Sequence, residues 1–578
     1  MALSVSGLTA SQLAPGAPAL AEVSYDLAFA VAGFATTRMM LTGGSRQLLD
    51  VWAAAIRWGL PGLFTVAVAM LAVSAALLPP TDLKAQAWTA LWTAVSLSGL
   101  HLMKQGVHDP TISGELLLLH LWATGVAAQL FAGWTGIVAA MIRLRLTRWI
   151  GVVAGAGVLA SLGLDLWMRG QGMHPQAFYL APANAWPFLI GAVVAIRPSG
   201  RDRVWTTWQA GPAWLGAFAW MFHLWLWPLA TLTQMILARP LTLTETAGVV
   251  AVAALAVLVT RRWVESPVQR RLGLRPQTAL AAGAAGMGAL ALLAGAIVAL
   301  DGLPGRADAT LRAEEAAMLE RAPRQAVCNI DKGERMPPIA ACTTPPGGPA
   351  DVVVWGNSHA AHLTPTVLDW TSRRGLSMRQ ATKSGCLPLL ASADGLADAD
   401  CLAFNRAAVE EMANGPRPRL VILGAGWTVL LARSSGDDFA ETKALERNLT
   451  ETVRRVRAAV GPEAGIVLLG TTPDFAFAPA ACHSRRRFLG LDTRRCDLAP
   501  PANATLTATI DGILNRVAQG QPGVHVFHPA VALCRNGHCR TRGTDGPWYA
   551  DSHHLTPAGG LAQSEALADV LNAASVRR

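Results

Sequence analysis

The stretch Asp351-Val352-Val353-Val354-Trp355-Gly356-Asn357-Ser358-His359 decides how the second half of this chain is read. A short run of β-branched and aromatic residues is strand-like, and here it runs straight into a small-residue turn. A serine on a tight turn at the C-terminal end of a strand sits where α/β folds place their sites. Its own backbone N–H can face a developing oxyanion. Working outward, 420–423 and 465–469 read as two more short apolar strands, while 404–413 and 440–459 read as helices between strands. That alternation predicts an α/β sheet flanked by helices.

A second block lies near the far end of the chain, Asp551-Ser552-His553-His554-Leu555-Thr556. An Asp and a His three residues apart on one loop can both reach a serine. His554 would take the proton of Ser358, and Asp551 would orient the ring and stabilise the imidazolium. His553 is the competing neighbour for the role of base. Asn-Ser-His alone is a common turn and Asp-x-x-His a common surface pair. Their placement at the two ends of one α/β region makes the combination informative.

Composition divides the 578-residue chain in two. Residues 1–300 are rich in Ala, Leu, Val, Gly and Trp, and the remainder resembles a soluble protein; hydrophobic residues reach 52% overall. A spanning helix needs about 20 mostly apolar residues. Stretches 24–41, 58–79, 115–141, 148–168, 178–196, 212–237, 244–261 and 279–300 qualify, with 85–103 as a ninth or a re-entrant segment. The first twenty residues lack the basic start of a cleavable signal peptide. The net charge of +10 is no nucleic-acid signal, because much of it lies in short loops between apolar stretches. The clusters Arg143, Arg145, Arg148; Arg197, Arg201, Arg203; and Arg261, Arg262, Arg270, Arg271, Arg275 are expected on the cytoplasmic side. The stretch 279–300 then delivers the rest of the chain to the other side.

All eight cysteines lie beyond residue 300. An even number confined to one region points to disulfides and an oxidising compartment. Pairing of sequence neighbours is the economical arrangement: Cys328–Cys342, Cys386–Cys401, Cys482–Cys496 and Cys534–Cys539. No paired Cys-x-x-Cys elements occur, so no metal site is expected from them. The expected organisation is a transmembrane region over 1–300, an extracytoplasmic Pro-rich linker over 301–350 and an α/β domain over 351–578.

The serine and histidine blocks resemble the first and last blocks of SGNH hydrolases. The resemblance extends over 350–565 to SGNH domains fused behind membrane acyltransferase-3 domains. It is carried by Cys386-Leu387-Pro388, by Cys401-Leu402-Ala403-Phe404-Asn405, by the strand ending at Trp427, and by Thr472-Pro473 before Cys482. It implies a triad of Ser358, His554 and Asp551. Asn357 stands where the family usually has Asp. The Gly-x-Asn-Asp oxyanion block is absent, and Gly424-Ala425-Gly426-Trp427 occupies its place. Gly385 and Asn357 are the remaining oxyanion candidates beside the Ser358 N–H.

The membrane half resembles the acyltransferase-3 family through DLAFAVAGFATT at 26–37, Leu119-His120-Leu121-Trp122, Trp225-Leu226-Trp227-Pro228 and Val264-Glu265-Ser266-Pro267. It departs where that family carries charge. Residues 1–22 hold neither His nor Arg, and Ala127-Ala128-Gln129 replaces Glu-Glu-Gln. Asn184-Ala185-Trp186-Pro187 replaces Arg-Ala-Trp-Glu, Leu226 replaces a His, and two helices are missing between Arg203 and Trp214. An intramembrane charge costs at least ~2.5–3.5 kcal/mol and persists mainly where it has work to perform. Its replacement implies that the membrane acyl-transfer site is lost. His120 is the remaining candidate there, though for it and His223 a packed core position is the simpler reading.

The expectation is thus an all-α polytopic membrane domain of eight or nine helices followed by an SGNH-like α/β domain. Its function would be O-acyl transfer, acetyl above all, to an envelope polysaccharide in the periplasm of a bacterial inner membrane. The rivals are an exported glycan O-acetylesterase and a non-catalytic glycan-binding subunit of an envelope assembly. No bound cofactor is expected. The acetyl group would originate in acetyl-CoA and arrive through an intact partner acyltransferase. Glycan and membrane lipid are the other expected partners, and nucleic acid is not one.

Overall fold

In a computed structural model of the chain, the described residues are 18–42, 47–105, 115–171, 173–196, 210–271, 275–346, 349–391, 396–428 and 438–575. The cluster Arg197, Arg201 and Arg203, most of the 203–214 interval and residues 1–17 lie outside them. The chain divides into two compact units, Met1–Ala307 and Asp308–Arg578.

The first unit is helical. Among the described residues, five helices are long and apolar enough to cross a membrane: Leu48–Leu77, Leu119–Arg143, Thr147–Gly170, Leu243–Arg271 and Pro276–Ala299. They coincide with five of the predicted spans. Their outward faces remain apolar, with Leu159 at 74% and Leu292 at 77% exposure, as expected of surfaces solvated by lipid. Helices Pro18–Thr42 and Ala210–Leu237 occupy two more predicted stretches.

The predicted span 178–196 is not one helix. The chain forms a short helix His174–Tyr179, turns, and resumes as Ala185–Ile196. Twelve residues reach only ~18 Å, against ~30 Å of hydrocarbon. Asn184 holds the break: its Nδ2 donates to the carbonyls of Ala177, Phe178 and Leu180 at 3.1, 2.9 and 2.9 Å. The short helix instead packs backbone to backbone on Pro18–Thr42. A Cβ on Gly191 would sit 1.8 Å from the Ala30 carbonyl oxygen, and one on Gly33 1.8 Å from that of Phe188. Only small residues allow that approach. The stretch 85–103 is likewise broken, into Pro80–Ala94 and Ser98–Lys104. Gln129 Nε2 donates to the Ser96 carbonyl in the break at 2.7 Å.

The second unit is built on a seven-stranded sheet. Its strands are β1 Asn329–Ile330, β2 Thr343–Thr344, β3 Val352–Gly356, β4 Met378–Lys383, β5 Leu420–Gly424, β6 Gly465–Leu469 and β7 Val524–Phe527. The order is β1-β4-β3-β5-β6-β7, all parallel, with β2 antiparallel on β4. Because side chains alternate between faces, a sheet covered on both sides needs apolar residues at every position. In β3 and β5, Val353, Trp355, Val421 and Leu423 face one core, which helices Ala399–Asn414, Asp438–Val460 and Ala504–Gln519 cover. Val352, Val354, Leu420 and Ile422 face the other, covered by Thr364–Ser372 and Ser564–Ser575. Each such side chain contributes roughly 1.5–3 kcal/mol on burial.

The segment expected as a linker is largely part of this unit. Helix Ala309–Leu319 is capped by Asp308, and Glu314 pairs with Arg487 and Arg542 at 2.9 and 2.8 Å. β1 pairs with β4. Four disulfides join Cys328–Cys342, Cys386–Cys401, Cys482–Cys496 and Cys534–Cys539, as neighbour pairing predicts. A bridge closing a loop of about 15 residues contributes ~3 kcal/mol in the chain-entropy account.

β4 departs from the apolar rule. Its Arg379 is fully buried and pairs through Nε with Glu411 at 2.9 Å, while Nη2 donates to the Pro337 carbonyl at 2.8 Å. Its buried Lys383 donates to Asp400 at 2.8 Å and to the Glu334 carbonyl at 2.9 Å. Breaking a buried pair strands one charge. Glu411→Ala is therefore expected to destabilise the second unit by about 3–5 kcal/mol, seen as a lowered urea midpoint.

Candidate active site

β4 and β5 lie on opposite sides of β3, so the strand order reverses beside it. In an open parallel sheet that reversal opens a crevice at the carboxyl ends of the strands. Ser358 stands there, two residues past the end of β3. Gly356 makes the turn possible: its φ is +153°, and a Cβ on it would lie 1.8 Å from the Gly424 carbonyl oxygen. Asn357 then caps the short turn Ser358–Ala361. Its Oδ1 accepts from the backbone N–H of His359 at 2.9 Å and of Gly426 at 3.2 Å. The Gly424-Ala425-Gly426-Trp427 block thus lies beside the serine turn, and Trp427 Nε1 donates to the Leu469 carbonyl at 2.9 Å.

The loop carrying Asp551 and His554 is closed by the Ala550 N–H donating to the His554 carbonyl at 2.8 Å and by a bridge between Tyr549 and Leu555. Asp551 Oδ1 accepts the N–H groups of His553 and His554 at 2.9 and 2.7 Å. Its Oδ2 meets His554 Nδ1 at 2.7 Å, and His554 Nε2 meets Ser358 Oγ at 2.8 Å. Burial would push the Asp551 carboxyl up. The charge of His554 and its hydrogen bond, with His553 beside it, outweigh burial and hold Asp551 well below the usual carboxylate range. An ionised Asp551 fixes the Nδ1–H tautomer of His554, leaving Nε2 to accept from the serine hydroxyl. The three residues singled out from the two sequence blocks are therefore one hydrogen-bonded chain. His554 is partly exposed, so a ligand can reach it.

The other sequence candidates fall elsewhere or do something else. Asn357 spends its side-chain oxygen on the turn. Gly385 follows β4 at φ +71°, and the nearest atom to its missing side chain is Lys332 Cε at 4.0 Å. No described contact joins it to Ser358. His120 belongs to the first unit, where its buried ring lies edge-on to His223 at 5.4 Å between centroids.

Two histidines escaped the sequence reading. His362 lies one helical turn beyond Ser358. Its Nδ1 accepts the Leu555 N–H at 3.2 Å, which leaves its proton on Nε2, 3.2 Å from Thr472 Oγ1. It ties the serine turn to the histidine loop. His359 stacks on His553 with centroids 5.4 Å apart and planes 7° from parallel, and its ring lies against Gly426. The i, i+4 spacing of Ser358 and His362 was the available signal.

Burial first, then the neighbouring imidazoles, hold His359 and His362 well below the ordinary histidine value of 6.5. The unfolded chain takes up these protons below that pH and the folded chain does not. Their contribution to stability is therefore complete above about pH 6.5 and falls as pH drops, by up to ~1.4 kcal/mol per pH unit for each ring. Asp551 acts with the same sign at lower pH. Thermal melts of the chain from pH 7.5 to 5.5 should show a falling midpoint for the second unit; a flat or rising midpoint would contradict the buried neutral state.

A search of the curated proteins finds no match. Among solved structures, the chain is similar to one described as "Structure of Salmonella ser. Paratyphi A lipopolysaccharide acetyltransferase periplasmic domain". The identity is 18%, the match covers 46% of this chain and 95% of that one, and the TM-score is 0.34. Residues 327–569 match the family model described as "SGNH domain (fused to AT3 domains)". The second unit of this chain thus carries an SGNH domain of the kind fused to AT3 domains.

Proposed function

We propose that this chain moves an acyl group, acetyl above all, through an ester on Ser358, with a glycan hydroxyl as acceptor. The observation that carries the reading is the continuous chain Ser358 Oγ–His554 Nε2–His554 Nδ1–Asp551 Oδ2, at 2.8 and 2.7 Å. His554 takes the hydroxyl proton as Oγ attacks the acyl carbonyl, and Asp551 stabilises the imidazolium. The Ser358 N–H, first of its turn and without an intrahelical acceptor, faces the oxyanion. Collapse expels the donor alcohol or thiol, which receives its proton from His554. A sugar hydroxyl then attacks the acyl-serine in transfer, or water does in hydrolysis. A purely glycan-binding role would leave this hydrogen-bonded chain without a use.

The first unit fits an anchor better than a second reaction centre. Asn184, at a position where the resembling family carries charge, is spent on a chain break, Gln129 is spent on another, and Leu226 is fully buried. The acyl donor would come from acetyl-CoA by way of a separate, intact membrane acyltransferase. The basic clusters around Arg143 and Arg270 would face the cytoplasm. The four disulfides fit a second unit in an oxidising, extracytoplasmic compartment such as the periplasm.

The test is the acetate content of the cell's envelope glycan in a Ser358→Ala strain. Less acetate is the result expected of a transferase and more that of an esterase. Unchanged acetate, together with undiminished hydrolysis of an acetyl ester by the purified Ser358→Ala chain, would overturn the reading.

A further inference from the structure

The rings around Ser358 outnumber what acyl transfer requires. One hydroxyl needs one base, yet His359, His362, His553 and His554 lie together. His362 is committed to Leu555 and Thr472. In His359, His553 and His554, one ligand atom from each residue lies within 4.8 Å of the other two, the single such group found among the described residues.

Three details go beyond proximity. His359 is buried, and its Nδ1 has no hydrogen-bond partner, while the opposite Nε2 edge lies against Gly426. Buried polar atoms are normally satisfied, and with the ring proton on Nε2 this nitrogen offers an unused lone pair. His554 is held through Nδ1 by a carboxylate, Asp551, and His553 through Nδ1 by the Ser552 hydroxyl at 2.9 Å. Outer partners of this kind fix the rings of metal-bound histidines and raise their basicity. Finally, Ser358 Oγ lies 2.8 Å from His554 Nε2, an oxygen at hand beside this group for the fourth position of a tetrahedral ion.

We infer that His359, His553 and His554 form a binding site for a zinc-like divalent transition-metal ion, and that its occupancy silences Ser358. Bond lengths of about 2.0–2.1 Å place the nitrogens of a tetrahedral site ~3.3–3.4 Å apart, so side-chain torsions must draw the rings closer. Three dative bonds form from ring nitrogens. The hydrogen bond from Ser358 to His554 Nε2 breaks, and no proton needs to leave His554, because its Nδ1–H stays on Asp551. The base is then occupied and the serine cannot be deprotonated. The silencing rests on the function proposed above; the binding rests on geometry alone.

The test uses the full chain, untagged, in detergent at pH 7.5 after chelator treatment. Equilibrium dialysis against Zn²⁺ should show one more ion bound per wild-type chain than in His553→Gln or His359→Gln, whose affinity at this site should fall ~10–100-fold or more. Co²⁺ should give the wild-type chain the visible absorption of a tetrahedral nitrogen-rich site, a readout that needs no variant. Zn²⁺ should slow fluorophosphonate labelling of Ser358, and chelator should restore it. Equal zinc in wild type and both variants, with no cobalt spectrum, would overturn the site. Zinc bound without slower labelling would overturn the silencing. Absence of labelling in the metal-free chain would count against the serine chemistry and leave the dialysis result standing.

Discussion

Asp551→Asn is expected to lower acyl-ester turnover by about 10⁴-fold, with little change in KM. The carboxylate oxygen Oδ1 accepts two backbone N–H groups, from His553 and His554, and a carboxamide oxygen can still do so. The loop therefore survives the substitution. The amide nitrogen would replace Oδ2, which meets His554 Nδ1 at 2.7 Å. A donor there forces the proton of His554 onto Nε2, the atom that must accept from Ser358. Steady-state kinetics on an acetyl ester checks this. Turnover within tenfold of wild type would mean that Asp551 does not set the tautomer.

Gly356→Ala is expected to be among the most damaging single changes in the second unit. Its Cβ would lie 1.8 Å from the Gly424 carbonyl oxygen, an atom of β5 that cannot rotate away. The backbone at Gly356 also has a φ of +153°, which L side chains rarely adopt. Relief requires β3 and β5 to part at the point where the Asn357 N–H donates to the Gly424 carbonyl at 3.2 Å. A loss of ~4 kcal/mol or more follows, about 8–16 °C in the melting midpoint of a domain this size. A shift under ~2 °C would show that the serine turn is not built on this contact.

Much of the site was legible because its residues sit in two short blocks. The strand VVVW must end in a turn, and the Asp-x-x-His spacing sets both residues on one loop. β5 and β6 were legible for the reason β3 was: burial on both faces writes a continuous apolar run. β4 was not legible, because MRQATK places Arg379 and Lys383 in the interior, where only Glu411, Asp400 and backbone carbonyls make them tolerable. Those partners are remote in sequence. β7, VHVF, is half-exposed and short. The linker reading failed for a similar reason. Pro-rich composition describes the backbone of 337–349, while what docks it is the Arg379 guanidinium on the Pro337 carbonyl.

In the membrane unit, hydropathy counts apolar residues and does not locate breaks. The stretch 178–196 is mostly apolar, yet Pro182 and the side chain of Asn184 interrupt it, and Gly33 and Gly191 reward the short helix with backbone contact. His359 belongs to an Asn-Ser-His tripeptide that reads as a common turn, and the two sequence blocks do not include His362. The one local signal is the i, i+4 spacing of Ser358 and His362; the loop that fixes both rings comes from the other end of the domain.

The central claim is that acyl groups pass through Ser358, and trapping that ester tests it most directly. The full chain is incubated with an acetyl ester, quenched in acid and digested, and the peptide holding Ser358 is weighed. The account predicts an acetyl adduct on Ser358 that is absent from Ser358→Ala and accumulates when the acceptor is withheld. Turnover of the ester with no adduct on Ser358, and at an equal rate in Ser358→Ala, would contradict it.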